Sequence, residues 1–169
     1  MSLDWINARR SIRKYTAETV SEVDVAELLE AAMAAPSAGN QQPWHFIVIR
    51  DRGVLNAIPG FHPHASMALH APVGILVCGD PALEKHTGYW VQDCAAATEN
   101  LLLAVAAKGL GAVWCGVYPR ADRVEGFTRL LRIPTPVIPF AFVPIGHPGG
   151  TTPSACTSIA GDRRTGAWP

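Results

Sequence analysis

The sequence predicts an α/β or α+β domain built around a mostly apolar sheet, and three observations carry that expectation. Four short apolar runs read as strands: "WHFIVI" (Trp44 to Ile49), "VGILVC" (Val73 to Cys78), "AVWC" (Ala112 to Cys115) and "PFAFVPI" (Pro139 to Ile145). Segments of helical period fall before and between them. The 169 residues are 49% apolar and 17% charged, enough for one substantial core without staples.

In chain order, the first helix is expected from Leu3 to Ala8, with Ser2 placed to cap it. Ser21 begins a second helix, with Asp24 three residues on as a weaker relative of the capping box. Val25, Leu28, Leu29, Ala32 and Met33 then line one helical face, and Pro36 ends the run because it has no amide to donate. The strand at Trp44 is bounded by Pro43 and a charged turn. The run from Val73 is apolar on both faces and is therefore expected at the centre of the sheet. Tyr89 to Lys108 forms a long helix that is apolar around most of its circumference. Such a helix is buried in a core or against another subunit, so Glu99 and Asn100 on it need partners. Gly109 and Gly111 supply its stop. Asp122 to Leu131 reads as a short surface helix, and Pro134, Pro136 and Pro139 as a stiff lead into the last strand. The composition then turns to Gly, Pro, Thr and Ser, so residues 1–148 are expected to form a single domain and 149–169 its tail.

Fourteen basic residues balance fourteen acidic ones, which argues against nucleic-acid binding. The longest apolar stretch, Cys94 to Ala107, is broken by Thr98, Glu99 and Asn100 and is no membrane span. "MSLDWINARR" has no apolar core of a secretory signal. Cys78, Cys94, Cys115 and Cys156 are well separated and read as reduced thiols, which makes the cytoplasm the expected location.

Two polar segments could carry chemistry. "ARRSIRKY" sets Arg9, Arg10, Arg13 and Lys14 around Ser11. Guanidinium groups match phosphate oxygens with paired donors, although a solvated basic surface run has the same composition. "APSAGNQQPWHF" spends five specified polar or proline side chains before a strand. They suit the polar edge of a heterocycle, or merely the last carbonyls of the preceding helix. His62, His64 and His70 in "FHPHASMALH" lack a carboxylate or cysteine to complete a metal set and read as loop histidines, and His45 reads as structural. Cys115 with His147 could form a nucleophilic pair, but a cysteine inside a strand is more simply a small buried residue.

"RRSIR", "APSAGNQQPW", "DCAAATENLLLAVAAKGLGAVWCGVYP" and "IPFAFVPIGHP" together resemble, in order and spacing, the nitroreductase family of FMN flavoproteins. The likeness runs from about Trp5 to Pro148. It implies an α+β fold of three α-β-α layers, with a central, mostly antiparallel sheet flanked by helices, in an intertwined homodimer. FMN would be held non-covalently at the subunit interface, with no metal. The activity implied is hydride transfer from NADH or NADPH through flavin N5 to flat acceptors such as nitroaromatics or quinones, with ping-pong kinetics and no catalytic acid or nucleophile. By the same resemblance, Arg9, Arg10 and Ser11 contact phosphate and ribityl, and Arg13 stabilises charge on the reduced flavin. Pro36, Ser37, Asn40 and Gln42 reach the flavin, often from the partner chain. Trp114 and Gly116 turn backbone amides toward the isoalloxazine, and Arg163 or Arg164 returns to the phosphate. The chain departs from the family in its short C-terminal tail, in Asp162 where a basic residue is usual, and in the short 51–72 segment, which implies an open site. A flavin-binding sensor and a protein acting on the flavin itself are the alternative readings.

Overall fold

The computed structural model describes residues 4–150. Its sheet contains β1 (Trp44–Ile49), β2 (Val73–Gly79), β3 (Gly111–Ala112), β4 (Cys115–Gly116) and β5 (Ile138–Gly146). The order is β1-β2-β5-β3, with β4 also on β5, and all of these pairings are antiparallel. β2 lies between two strands and every one of its residues is buried, which is why its sequence carries no polar face. Its side chains alternate between two cores. Val73, Ile75 and Val77 join Val143 and Ile145 under α2 (Glu22–Met33) and α4 (Trp90–Ala107). Leu76 and Cys78 face the other way, with Phe142, onto Leu55, Ile58 and Phe127. The result is the expected three-layer α+β arrangement with a mostly antiparallel sheet.

One expected strand is divided. β3 and β4 hold the same register against β5, but Val113 and Trp114 between them leave the ladder. The residue that falls opposite Val113 in that register is Pro144, which has no N–H to give. α4 needs one glycine to reach the sheet: a Cβ on Gly79 would lie 2.1 Å from the Trp90 ring. Glu99 and Asn100 of α4 find partners inside the chain. Glu99 lies 3.6 Å from Arg9, and Asn100 donates to the Ala31 carbonyl at 3.1 Å, tying α4 to α2.

The short segment between β1 and β2 is folded beyond what its sequence suggests. It holds α3 (Arg52–Ala57), capped by Asp51, and two 3-10 turns, Ile58–Gly60 and Pro63–Leu69. These supply Leu55, Ile58, Ala65, Met67 and Ala68 to the second core. α1 (Asp4–Ala8) and α5 (Ala121–Leu131) complete the helices. The expected cap at Ser2 and the tail from residue 151 lie outside the described residues. Among the described residues no helix is long and apolar enough to cross a membrane.

Candidate functional site

Beyond α1 the chain runs along the outer edge of β3. Ser11 bridges Ala112 in parallel, and the Ile12 N–H donates to the Ala112 carbonyl at 2.8 Å. Gly111 permits this approach, since a Cβ there would stand 2.7 Å from Ile12 Cγ2. Tyr15 pins the far end. Its hydroxyl lies 2.8 Å from the Ile12 carbonyl and 3.0 Å from that of Pro144, and burial pushes its pKa far above the ordinary phenol range. The four cations of this segment then divide. Arg9 faces Glu99, and Arg10 Nη1 donates to the carbonyls of Asn7 (2.6 Å) and Arg9 (2.5 Å) at the end of α1. Arg13 and Lys14 are exposed and have no hydrogen-bond or ion-pair partner among the described residues.

Arg13 lines two adjoining cavities. One, about 340 Å³, is formed with Ser11, Lys14 and Pro148–Gly150. The other, about 490 Å³, is formed with His62, His64, Trp114, Gly116 and Arg123. Arg10 borders a third of about 160 Å³ behind Ile12. No acidic side chain lines any of the three. Cavities of this size suit small organic ligands, and a lining with cations but no carboxylates suits one with an anionic or acceptor-rich edge.

Gly116 sits at the junction. Val117 N–H bonds to the Phe140 carbonyl at 3.1 Å, so the next pair, Gly116 opposite Ala141, is a non-hydrogen-bonded one. Both its N–H and C=O therefore turn away from β5. A Cβ on Gly116 would meet nothing within 4 Å, so the space above this strand end is open. Two side chains hold its carbonyl: Arg123 Nη1 at 2.7 Å and His62 Nε2 at 3.0 Å. The contact places the proton of a neutral His62 on Nε2, and burial together with the nearby Arg123 charge pushes its pKa down. His62, in the loop between two 3-10 turns, is thus a fully buried residue of the site. The one available signal was its place between Phe61 and an apolar turn.

The remaining alternatives are not assembled. Cys115 touches the His64 carbonyl and Met67 Sδ, each at 3.8 Å, and burial pushes its thiol up to about 11. His147 lies instead beside the Thr19 carbonyl at 3.3 Å. Among the described residues no group of His, Cys, Asp or Glu could hold a metal ion. His45 is exposed and pairs with Asp80 at 3.2 Å.

The amide-rich turn lies at the other end of the sheet. Trp44 is opposite Gly79, which is opposite Ile138, whereas Ser11 lies beside Ala112, opposite Ile145. Seven residues of strand separate these levels, about 23 Å, whereas Gly116, opposite Ala141, stands only three residues from the Ile138 level. The centre of the turn is Gln41, a residue not singled out in the sequence. Its side chain is buried, donates to Asp93 Oδ2 at 2.6 Å, and accepts from the backbone of Lys85 (2.8 Å) and His86 (3.0 Å). Asp93 also accepts from the Ala38 N–H at 3.0 Å, and Ser37 Oγ accepts from the Gln42 N–H at 3.0 Å. Asn40 and Gln42 flank Gln41 with positive φ of 54° and 47°, their side chains exposed, and Pro36 is exposed as well. Within one chain, then, Ser11, Arg13, Trp114 and Gly116 border two adjoining cavities, Arg10 borders a third, Arg9 faces Glu99, and Pro36, Ser37, Asn40 and Gln42 line none of the three. Arg163 and Arg164 lie outside the described residues.

An antiparallel sheet covered on both faces, with cation-lined cavities along its short-strand edge, defines an α+β protein with a candidate small-molecule site. The family model described as "Nitroreductase family" matches residues 6–67 and 61–147. A protein of Methanothermobacter thermautotrophicus, provisionally named NADH dehydrogenase/NAD(P)H nitroreductase, is 54% identical over 146 residues, covering 86% of this chain and 76% of that one. The crystal structure of a provisionally named NADH oxidase from Clostridium acetobutylicum superposes with a TM-score of 0.92 at 38% identity, over 96% of this chain and 98% of that one. A provisional nitroreductase from Desulfovibrio desulfuricans, solved in complex with FMN, gives 0.82 at 32% identity, over 99% and 97%. The chain belongs to the nitroreductase family, and it is an oxidoreductase of that family.

Proposed function

We propose that this protein is an FMN-dependent oxidoreductase that takes electrons from NADH or NADPH and passes them to flat acceptors such as nitroaromatics or quinones. The observation that carries the reading is Arg13, without a partner among the described residues, between two adjoining cavities that no carboxylate lines. The similar Desulfovibrio desulfuricans protein binds FMN. When bound, FMN supplies the two-electron chemistry, and the protein supplies orientation and electrostatics. Arg9, Arg10 and Ser11 hold the phosphate and ribityl, with Arg163 or Arg164 completing the set from the 149–169 tail of the 1–148 domain. Arg13 stabilises negative charge that develops on the ring system. Trp114 and Gly116 would border the ring, where the Gly116 N–H, turned away from β5, is available as a donor.

In one chain the 36–42 turn leads into β1, at the opposite edge of the sheet from β3 and β4. A homodimer in which a second copy lends Pro36, Ser37, Asn40 and Gln42 to the site accounts for the exposed side chains of Pro36, Asn40 and Gln42. Three buried free thiols, Cys78, Cys94 and Cys115, suit work in the cytoplasm.

The test is an absorption spectrum of the purified protein before and after anaerobic NADH and NADPH. A flavin band that one donor bleaches is expected, as are parallel double-reciprocal plots for donor and acceptor. A protein that takes up no FMN overturns the reading. A flavin band that neither donor bleaches removes the turnover and leaves the binding.

A further inference from the structure

Three buried side-chain nitrogens lack a hydrogen-bond partner among the described residues, and two of them, His62 Nδ1 and Arg123 Nε, belong to the pair that holds Gly116. Folded proteins keep few such atoms, and each calls for a reason. The backbone they hold is the least supported in the sheet. β4 has two residues, a single neighbouring strand, and a break in the ladder just before it. Gly116 has no side chain to anchor it and open space above. Donors from two separate elements, the turn before Pro63 and the first turn of α5, converge on its one carbonyl. Fixing that carbonyl also fixes the N–H of the same residue, because both lie on the side turned from β5.

The same pair sets the charge around the cavity. Arg13 and Arg123 both border it, no acidic residue does, and neither guanidinium has a carboxylate partner among the described residues. Both guanidiniums line the cavity beside Cys115, so the two lie close to one strand end. A neutral imidazole is the donor that packs beside Arg123 without burying a second cation against it.

Resting on the FMN reading above, we propose that Arg123 and His62 are positioning residues for the bound flavin. They lock the Gly116 carbonyl from two sides so that this strand end would meet the ring in one fixed pose, and Arg123 adds a fixed positive charge beside that of Arg13.

The test compares FMN-loaded wild type with Arg123→Met, Arg123→Lys, His62→Phe and His62→Gln. It reads the bound-flavin spectrum, the flavin midpoint potential, the FMN dissociation constant and the melting temperature. Arg123→Met is expected to lower the potential and weaken FMN about tenfold, the scale of one charged hydrogen bond. Arg123→Lys restores the potential more fully than the affinity, since it keeps the charge and loses the planar fork. His62→Phe weakens FMN without the charge effect, and His62→Gln, which keeps a donor, recovers it. If Arg123→Met and His62→Phe keep the wild-type spectrum, potential and affinity and lose only melting temperature, the two residues merely support the fold and the proposal is overturned. Where Arg123→Met does not fold, Arg123→Lys decides: wild-type FMN affinity in that variant overturns the proposal. Failure of the wild type to take up FMN is a separate outcome, which removes the functional reading and this inference with it.

Discussion

At the end of the sheet where β1 begins, the buried polar groups of the 36–42 turn are closed on one another. Asp93 takes the Ala38 amide and Gln41, and Gln41 takes the amides of Lys85 and His86. Along the opposite edge of the sheet, Arg13 and Lys14 beside β3 have no partner among the described residues, and His62 and Arg123 beside β4 each keep a buried nitrogen unpaired. Both stretches are polar and specified in the sequence. One spends its hydrogen bonds on its own shape, and the other leaves charge and donors facing cavities. A closed polar network holds a backbone in place, whereas an open one is poised for a ligand.

The largest expected effect is on the closed network. Asp93→Ala leaves the Ala38 amide and the Gln41 side chain without acceptors in a buried place, at a cost of about 3 kcal/mol in denaturant unfolding. A loss under about 1 kcal/mol would mean that the turn is not held as described. Arg13→Met should do the opposite. Stability stays within about 0.5 kcal/mol, because the side chain is exposed and supports nothing. FMN affinity by fluorescence titration falls about tenfold to a hundredfold. Equal losses in stability and affinity would erase the contrast between the two stretches. Tyr15→Phe lies between them: it removes the hydroxyl that pins the basic segment to the carbonyls of Ile12 and Pro144, costing about 1 kcal/mol in thermal or chemical unfolding.

The same contrast explains what the sequence disclosed. Strands β1, β2 and β5 and helices α2, α4 and α5 were legible because each writes its burial into its own residues. The unbroken apolar run of β2 and the apolar stripe of α2 are local signals. The division of "AVWC" was not legible locally, since its cause is Pro144 on another strand. Nor was α3, whose six residues hold too few apolar positions to show a period. The cationic half of the site could be read from "RRSIR", but which arginine stays unpaired depends on Glu99 and on the end of α1. Gln41 and His62 were missed for one reason. A buried polar residue is recognised by its partners, and Asp93, Lys85, Gly116 and Arg123 are all distant in sequence.

The smallest expected effect sharpens the comparison most. Gln42 holds a φ of 47° with an exposed side chain, a conformation that costs an ordinary residue about 1–2 kcal/mol and glycine far less. Asn40, at 54°, is a residue type that tolerates the region, whereas Gln42 is not. Its backbone contact, N–H to Ser37 Oγ, survives any substitution other than proline. Gln42→Gly should therefore stabilise the fold by about 0.5 kcal/mol once glycine's larger unfolded-state entropy is subtracted. If a second copy uses this side chain in its flavin site, the same variant weakens FMN while it melts higher. Strain kept at a surface position is then explained by the ligand and not by the fold. A variant that melts higher and binds FMN unchanged would make the whole turn structural, and the flavin site would be complete without it.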